Sequence, residues 1–280
     1  VSAGPLSGRL ARPRRLLAGG LLVAFAVAAS ACGTGTGGTP VQRALRDTAK
    51  HLDDIRSATM QLRLSAASPA AKGPVGFELS GPFALPSGNG LPVADLKVRE
   101  LRGGKSYDSR FVSTGEKAYV VRAGKVTPLE GNGGIDVGGD GGGLSALRID
   151  RWLLDPVMTD GGDVGGVRTD RIVARLDVAA AFDDLAKIGD RLGESFLAGL
   201  KPLDDRSRQQ LETAAKDSSV EVLSGHDDRL MRRLIVKVTL TAAGQVPAAL
   251  RSLVPVTLSL ALDLTDVNRP VHVEAPQPSG

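Results

Sequence analysis

One cysteine, Cys32, stands in 280 residues, so no disulfide can form within the chain. Aromatic residues make up only 3%, too few for the stacking platforms that hold sugars or single-stranded nucleic acid. The core has to be aliphatic. Histidine is equally scarce: His51, His226 and His272 lie far apart, without cysteine or a second histidine at ligand spacing. No metal and no other cofactor is expected on that pattern. An excess of basic charge is missing too, once its location is considered. The net charge of +4 comes from Arg9, Arg12, Arg14 and Arg15 in residues 1–31, which contain no acid, and the remainder carries 31 basic and 31 acidic side chains. A nucleic-acid partner is therefore not expected. What is present, 42% hydrophobic and 24% charged residues, suits a globular fold with a substantial core.

Catalytic patterns are also lacking. Gly143-Leu144-Ser145-Ala146-Leu147 and Gly193-Glu194-Ser195-Phe196-Leu197 come nearest to a nucleophile elbow, and neither has the second glycine that its tight turn needs. Asp183-Asp184 and Asp204-Asp205 are neighbours on expected helices, where adjacent side chains point apart. His226-Asp227-Asp228 falls between two alternating segments and reads as a turn. The stretch from Gly131 to Gly143 is too glycine-rich for regular structure and reads as a loop. It offers one imperfect copy of a calcium repeat, and no lysine for a phosphate cradle. The chain is not expected to be an enzyme.

The N-terminus has three parts: the arginines ending at Arg15, an apolar run from Leu16 to Ala29, and the small residues Ser30 and Ala31. That order is a secretion signal, and its apolar run is short of the ~20 residues that span a bilayer. Ala29-Ser30-Ala31-Cys32 resembles the lipobox of bacterial lipoproteins, with Ala29 where that group most often has leucine. The resemblance implies a signal peptide over 1–31 and a diacylglyceryl anchor on Cys32. It also implies a location on the outer face of the cell membrane. Two acyl chains, at ~0.8 kcal/mol per buried CH₂, hold a protein there durably. Residues 32–40, rich in Gly and Thr, read as a flexible tether, and 41–280 as one domain.

Val41, Leu45, Ala49, Leu52 and Ile55 sit at helical spacing. Met60, Leu62 and Leu64 alternate with polar residues, as a strand with one buried face requires. Phe77 and Leu79 begin a second short strand that is expected to stop at a Gly81-Pro82 turn. Leu96 and Val98 belong to a hairpin turning at Gly103-Gly104, followed by a strand within Glu116–Arg122 and a turn at Gly124. Leu147–Leu154 and Ala179–Leu200 are expected helices, with a strand over Val167–Val178 between them. A further helix opens at Pro202 and runs through Ala215. Strands return at Val220–Leu223, Leu234–Leu240 and Val256–Thr265.

Beyond the lipobox, four segments are similar to the mycobacterial LprG/LppX lipoproteins and the wider LolA-like carriers. They are Gly115-Glu116-Lys117-Ala118-Tyr119-Val120, Val164-Gly165-Gly166-Val167, Asp227 to Leu234, and Asp266-Val267-Asn268-Arg269-Pro270-Val271. The resemblance covers about Val41–Pro276 and rests on the order of the segments. It implies an α+β fold: a strongly curved antiparallel β half-barrel with helices covering the concave side. An aliphatic cavity between them would take the acyl chains of a lipid or lipoglycan, which the protein would shuttle or present. Candidate lining residues are Leu62, Leu64, Phe77, Leu79, Leu96, Val98, Val236, Val238, Leu258, Leu260 and Leu262, with Phe182, Leu185 and Ile188 as a lid. The alternative is a non-carrier envelope lipoprotein acting as adaptor for a membrane transporter.

Overall fold

The computed structural model describes residues 38–86, 90–129, 148–191, 203–241 and 254–277, with the side chains of 185–191 excepted. Cys32, the leader, the glycine-rich segment and the end of the second expected long helix lie outside them.

Helix α1 spans Pro40–Lys50 and starts on a capping box, in which Thr39 accepts from Gln42 N–H while the Gln42 side chain accepts from Thr39 N–H. It stops earlier than the apolar spacing suggests. Acidic Asp53 and Asp54 oppose the negative end of a helix dipole, and His51–Asp54 forms a tighter 3₁₀ turn instead. Six strands follow: β1 Ser57–Ala67, β2 Val75–Ala84, β3 Val93–Arg102, β4 Lys105–Thr114, β5 Ala118–Arg122 and β6 Lys125–Leu129. After the single-turn helix α2, Ile149–Trp152, come β7 Leu153–Val164 and β8 Val167–Leu176, then α3 Val178–Arg191 and α4 Asp205–Ala214. The chain closes with β9 Ala215–Gly225, β10 Met231–Leu240 and β11 Val256–Thr265.

Among the described residues these strands form one antiparallel sheet in the order β6-β5-β4-β3-β2-β1-β11-β10-β9-β8-β7. It is open, with β6 and β7 at its edges. The two halves meet where β1 pairs with β11, Leu62 opposite Leu262 and Leu64 opposite Leu260. The first half is the expected meander, and its Gly103-Gly104 turn has φ of 57° and 91°, the left-handed geometry that two-residue hairpin turns demand.

Two expectations are corrected. Gly81-Pro82 lies inside β2: Pro82 pairs with Thr59 of β1, while pairing toward β3 passes from Ser80↔Lys97 to Phe83↔Ala94 without a register change. A Cβ on Gly81, whose φ is 142°, would meet the Asp95 carbonyl oxygen at 2.0 Å, so glycine lets the backbones approach there. The Leu147–Leu154 helix shrinks to α2, and the chain continues as β7, a strand the sequence did not signal. Pro156, Gly161 and Gly162 hide its alternation, and an edge position with two register shifts accommodates them. Edge strand β6, which contains Pro128, escaped notice for the same reason.

All four helices contribute to a core laid on one face of the sheet. Leu45, Trp152, Ala181 and Leu211 are buried with Ile172, Val222, Leu234 and Leu264. Polar groups buried among them are paired. Thr48 Oγ1 donates to Ala44 C=O at 2.8 Å and lies 2.7 Å from Ser224 Oγ; with its only proton committed, it accepts from Ser224. Trp152 Nε1 donates to Asp184 Oδ2 at 3.0 Å. The opposite face is a lattice of cross-strand ion pairs: Arg63–Glu78, Arg99–Asp108, Arg110–Asp95, Arg171–Glu221 and Arg233–Asp263, at 2.5 to 2.8 Å. Exposed pairs of this kind add little stability, but they mark which face meets water and so hold the register.

Candidate functional site

Cross-strand partners in an antiparallel sheet share a face, so register alone places the candidate residues. One row runs Ile172, Val222, Leu234, Leu262, Leu62, Leu79, Val98. The row beside it runs Ala174, Val220, Val236, Leu260, Leu64, Phe77, Glu100, Tyr107. Val238, Leu258 and Ala66 form the start of a third. Leu96 faces Phe111 on the same side. All eleven strand residues proposed from the sequence thus lie on one face, the face on which the helices pack.

Burial changes along those rows. Ile172 and Val222 are 0% exposed, Leu234 1% and Leu262 6%, whereas Leu62, Leu79 and Val98 are only half-buried. The core reaches Ala58, Phe83 and Ala94 at one end of β1, β2 and β3, and the apolar face continues along these strands with partial exposure. This divides the candidates into three groups. Val238 and Leu262 belong to the closed core. Leu62, Leu96, Val236, Leu258 and Leu260 are partly buried at its margin. Leu64, Phe77, Leu79 and Val98 are also partly buried but stand outside the core cluster. Of the expected lid, Phe182 packs against the core, while the side chains of Leu185 and Ile188 lie outside the described residues. Met60 and Phe111 adjoin the same margin; Met60 was visible as part of the β1 alternation, and Phe111 only through its pairing with Leu96.

The clefts are more polar than this strip. One of about 330 Å³ lies on the ion-pair face, lined by Glu78, Ser80, Lys97, Arg99 and Asp108. Another, of about 450 Å³, opens at the far end of β3, β4 and β5. On the ion-pair face, burial pushes the Asp95 carboxyl up, but Arg110, donating from Nε and Nη2 at 2.6 Å each, holds it below the usual carboxylate range.

The His226 turn is built as the sequence suggested, between β9 and β10. Asp228 Oδ1 accepts from Leu230 N–H at 3.0 Å, and Asp170 gathers the rest. Its carboxylate accepts from His226 Nδ1 at 2.9 Å and from Arg229 at 2.5 Å. Among the described residues no group of three His, Cys, Asp or Glu is placed to hold a metal ion, and no helix is long and apolar enough to cross a membrane.

No protein-family model matches the chain, and no curated protein does. Solved structures do. LprF from Mycobacterium bovis is 15% identical, with a TM-score of 0.46, covering 88% of this chain and 100% of that one. Lipoprotein LppX from Mycobacterium tuberculosis is 12% identical, with a TM-score of 0.40 and coverages of 85% and 100%. A LolA superfamily protein from Nitrosomonas europaea is 11% identical, with a TM-score of 0.22 and coverages of 82% and 94%. Each likeness runs along most of the chain at 15% identity or less.

Proposed function

We propose that the protein is a lipid-binding envelope lipoprotein, anchored through Cys32 to the outer face of the cell membrane. It receives acyl chains on the apolar face of β1–β3, β10 and β11. The observation that carries this reading is the continuity of the face. The same rows that enter the core run on as Leu64, Phe77, Leu79 and Val98, partly exposed and outside the core cluster. Acyl chains bind such a surface by burial, at ~25 cal/mol per Å², and need few directional contacts. Curvature of the sheet around the ligand, with α3 as a lid carrying Leu185 and Ile188, would enclose the chains and complete a half-barrel. Shuttling or presentation of a lipid or lipoglycan follows from pairing such a site with a flexible tether over 32–40.

Native mass spectrometry of the protein purified from a host making diverse phospholipids tests the reading. A co-purifying acyl lipid of defined mass is the expected result, and Leu64→Trp should reduce its occupancy without loss of the folded state. Protein at its bare sequence mass that takes up no added lipid would sink the proposal. That outcome would favour the adaptor alternative, for which edge strand β7 offers a surface: Leu154 is 38% exposed and Val157 63%.

A further inference from the structure

We propose that the lipid carried on this face is anionic, with its phosphate headgroup held at the β3–β4–β5 end of the sheet by Arg102 and Arg122. The inference rests on the lipid-binding reading and names the class of lipid. Register leads from the apolar rows directly into charge. Leu64, Phe77, Glu100 and Tyr107 are successive partners across β1 to β4, and the next row on that face is Ala66, Val75, Arg102, Lys105. Arg122 and Lys125 are partners across β5 and β6. A cleft of about 450 Å³ opens there, and Arg102, Arg122 and Tyr107 line it with Glu100, Ser106 and Asp108.

The charges in this corner are unbalanced. Glu100 accepts from Arg102 Nε at 2.5 Å and also feels the charge of Arg122, and Asp108 accepts from Arg99 Nε at 2.8 Å, so two carboxylates face a larger number of cations. Arg122, Lys105 and Lys125 have no ion pair among the described residues. Like charges directly opposite each other destabilise a sheet. Here Arg102 faces Lys105 and Arg122 faces Lys125, on two neighbouring hairpins. An anion seated between the hairpins would relieve both repulsions. Arg102 is also held in place, its guanidinium 5.3 Å from the centre of the Tyr107 ring; with Nε donating to Glu100, its two terminal amino groups remain to meet oxygen. Tyr107, 48% exposed, ends the row that runs from Phe77 through Glu100, where an amphipathic ring suits the junction of chain and headgroup. A bound phospholipid would lay its acyl chains along Phe77, Leu64 and Leu79 and its phosphate over Arg102 and Arg122.

Titration calorimetry on the full chain, with dioctanoyl phosphatidylglycerol, dioctanoylglycerol and inorganic phosphate as separate probes at low ionic strength, tests this. Phosphatidylglycerol is expected to bind about tenfold more tightly than dioctanoylglycerol, and phosphate alone far more weakly than either. Arg122→Gln and Arg102→Gln, both exposed and checked for folding by thermal melting, should remove most of the tenfold difference while leaving dioctanoylglycerol binding unchanged. Equal binding of the two lipids, or a preference that survives both substitutions, overturns the headgroup assignment and leaves the lipid reading intact. Phosphate binding as tightly as phosphatidylglycerol overturns the lipid as source of the anion. Failure of both lipids to bind overturns the lipid-binding reading itself.

Discussion

Two leucines on the same sheet face separate core from candidate site. Leu234 is 1% exposed beneath the helices, between Val222 and Leu262. Leu64 is partly exposed between Leu260 and Phe77 and lies outside the core cluster. Truncating Leu234 to alanine removes fully buried methyl groups and leaves a cavity, at a cost of about 2–5 kcal/mol. Truncating Leu64 loses only part of a transfer free energy that is about 1.5–3 kcal/mol for a wholly buried leucine, and solvent fills the gap, so about 1 kcal/mol is expected. Urea unfolding of the two variants and the parent, followed by circular dichroism, reads the difference as a shift in midpoint at constant slope. Added lipid should reverse the ranking: stabilisation by ligand depends on its dissociation constant, so Leu64→Ala should lose most of the lipid-induced gain and Leu234→Ala should keep it. If Leu64→Ala costs as much as Leu234→Ala without lipid, the strip is ordinary closed core, and the argument from burial along the rows fails.

Gly81→Ala should destabilise by about 2–3 kcal/mol, because its Cβ would strike the Asp95 carbonyl from a backbone conformation that favours glycine. Gly103→Ala, at a turn with open space around the new methyl, should cost nearer ~1 kcal/mol, and equal melting points for the two would contradict the close approach of β2 and β3. Burial raises the Asp170 carboxyl, but hydrogen bonds from His226 and Arg229 outweigh it and hold the group below its ordinary value of 3.8. Its contribution is therefore complete above that value and lost as pH falls through the lower native one. The melting-point gap between the parent and Asp170→Asn should be constant near neutrality and shrink below about pH 4; a gap that widened in acid would reverse the sign. Asn268 takes φ 61° after β11, where its side chain accepts from Arg56 N–H at 2.8 Å and donates to Asp54 C=O at 2.9 Å. Asn268→Gly keeps the turn and loses both bonds, so limited proteolysis should release the C-terminal tail faster at a cost of about 1–2 kcal/mol; unchanged cleavage would show that the backbone bond to Ser57 C=O suffices.

Alternation of period two was enough to assign β1, β3, β4, β10 and β11 and to say which of their side chains share a face, because strand geometry leaves no other arrangement. The helix expected to open at Pro202 starts three residues later, at Asp205, where Asp204 caps it by accepting from Ser207 N–H at 2.7 Å. The two edge strands and the passage of β2 through Gly81-Pro82 were not legible. Their proline and glycine carry turn signals locally, and only pairing with a neighbouring strand overrules them. Register gathers the candidate residues on one face, yet periodicity gives a leucine the same sign whether a helix or a ligand covers it. Only the tertiary structure separates their burial: Val238 and Leu262 belong to the core, while Leu64, Phe77, Leu79 and Val98 stay partly exposed outside it. The cationic corner is a consequence of register alone. Arg102 and Arg122 are 20 residues apart in sequence, and two tight hairpins bring them to one cleft.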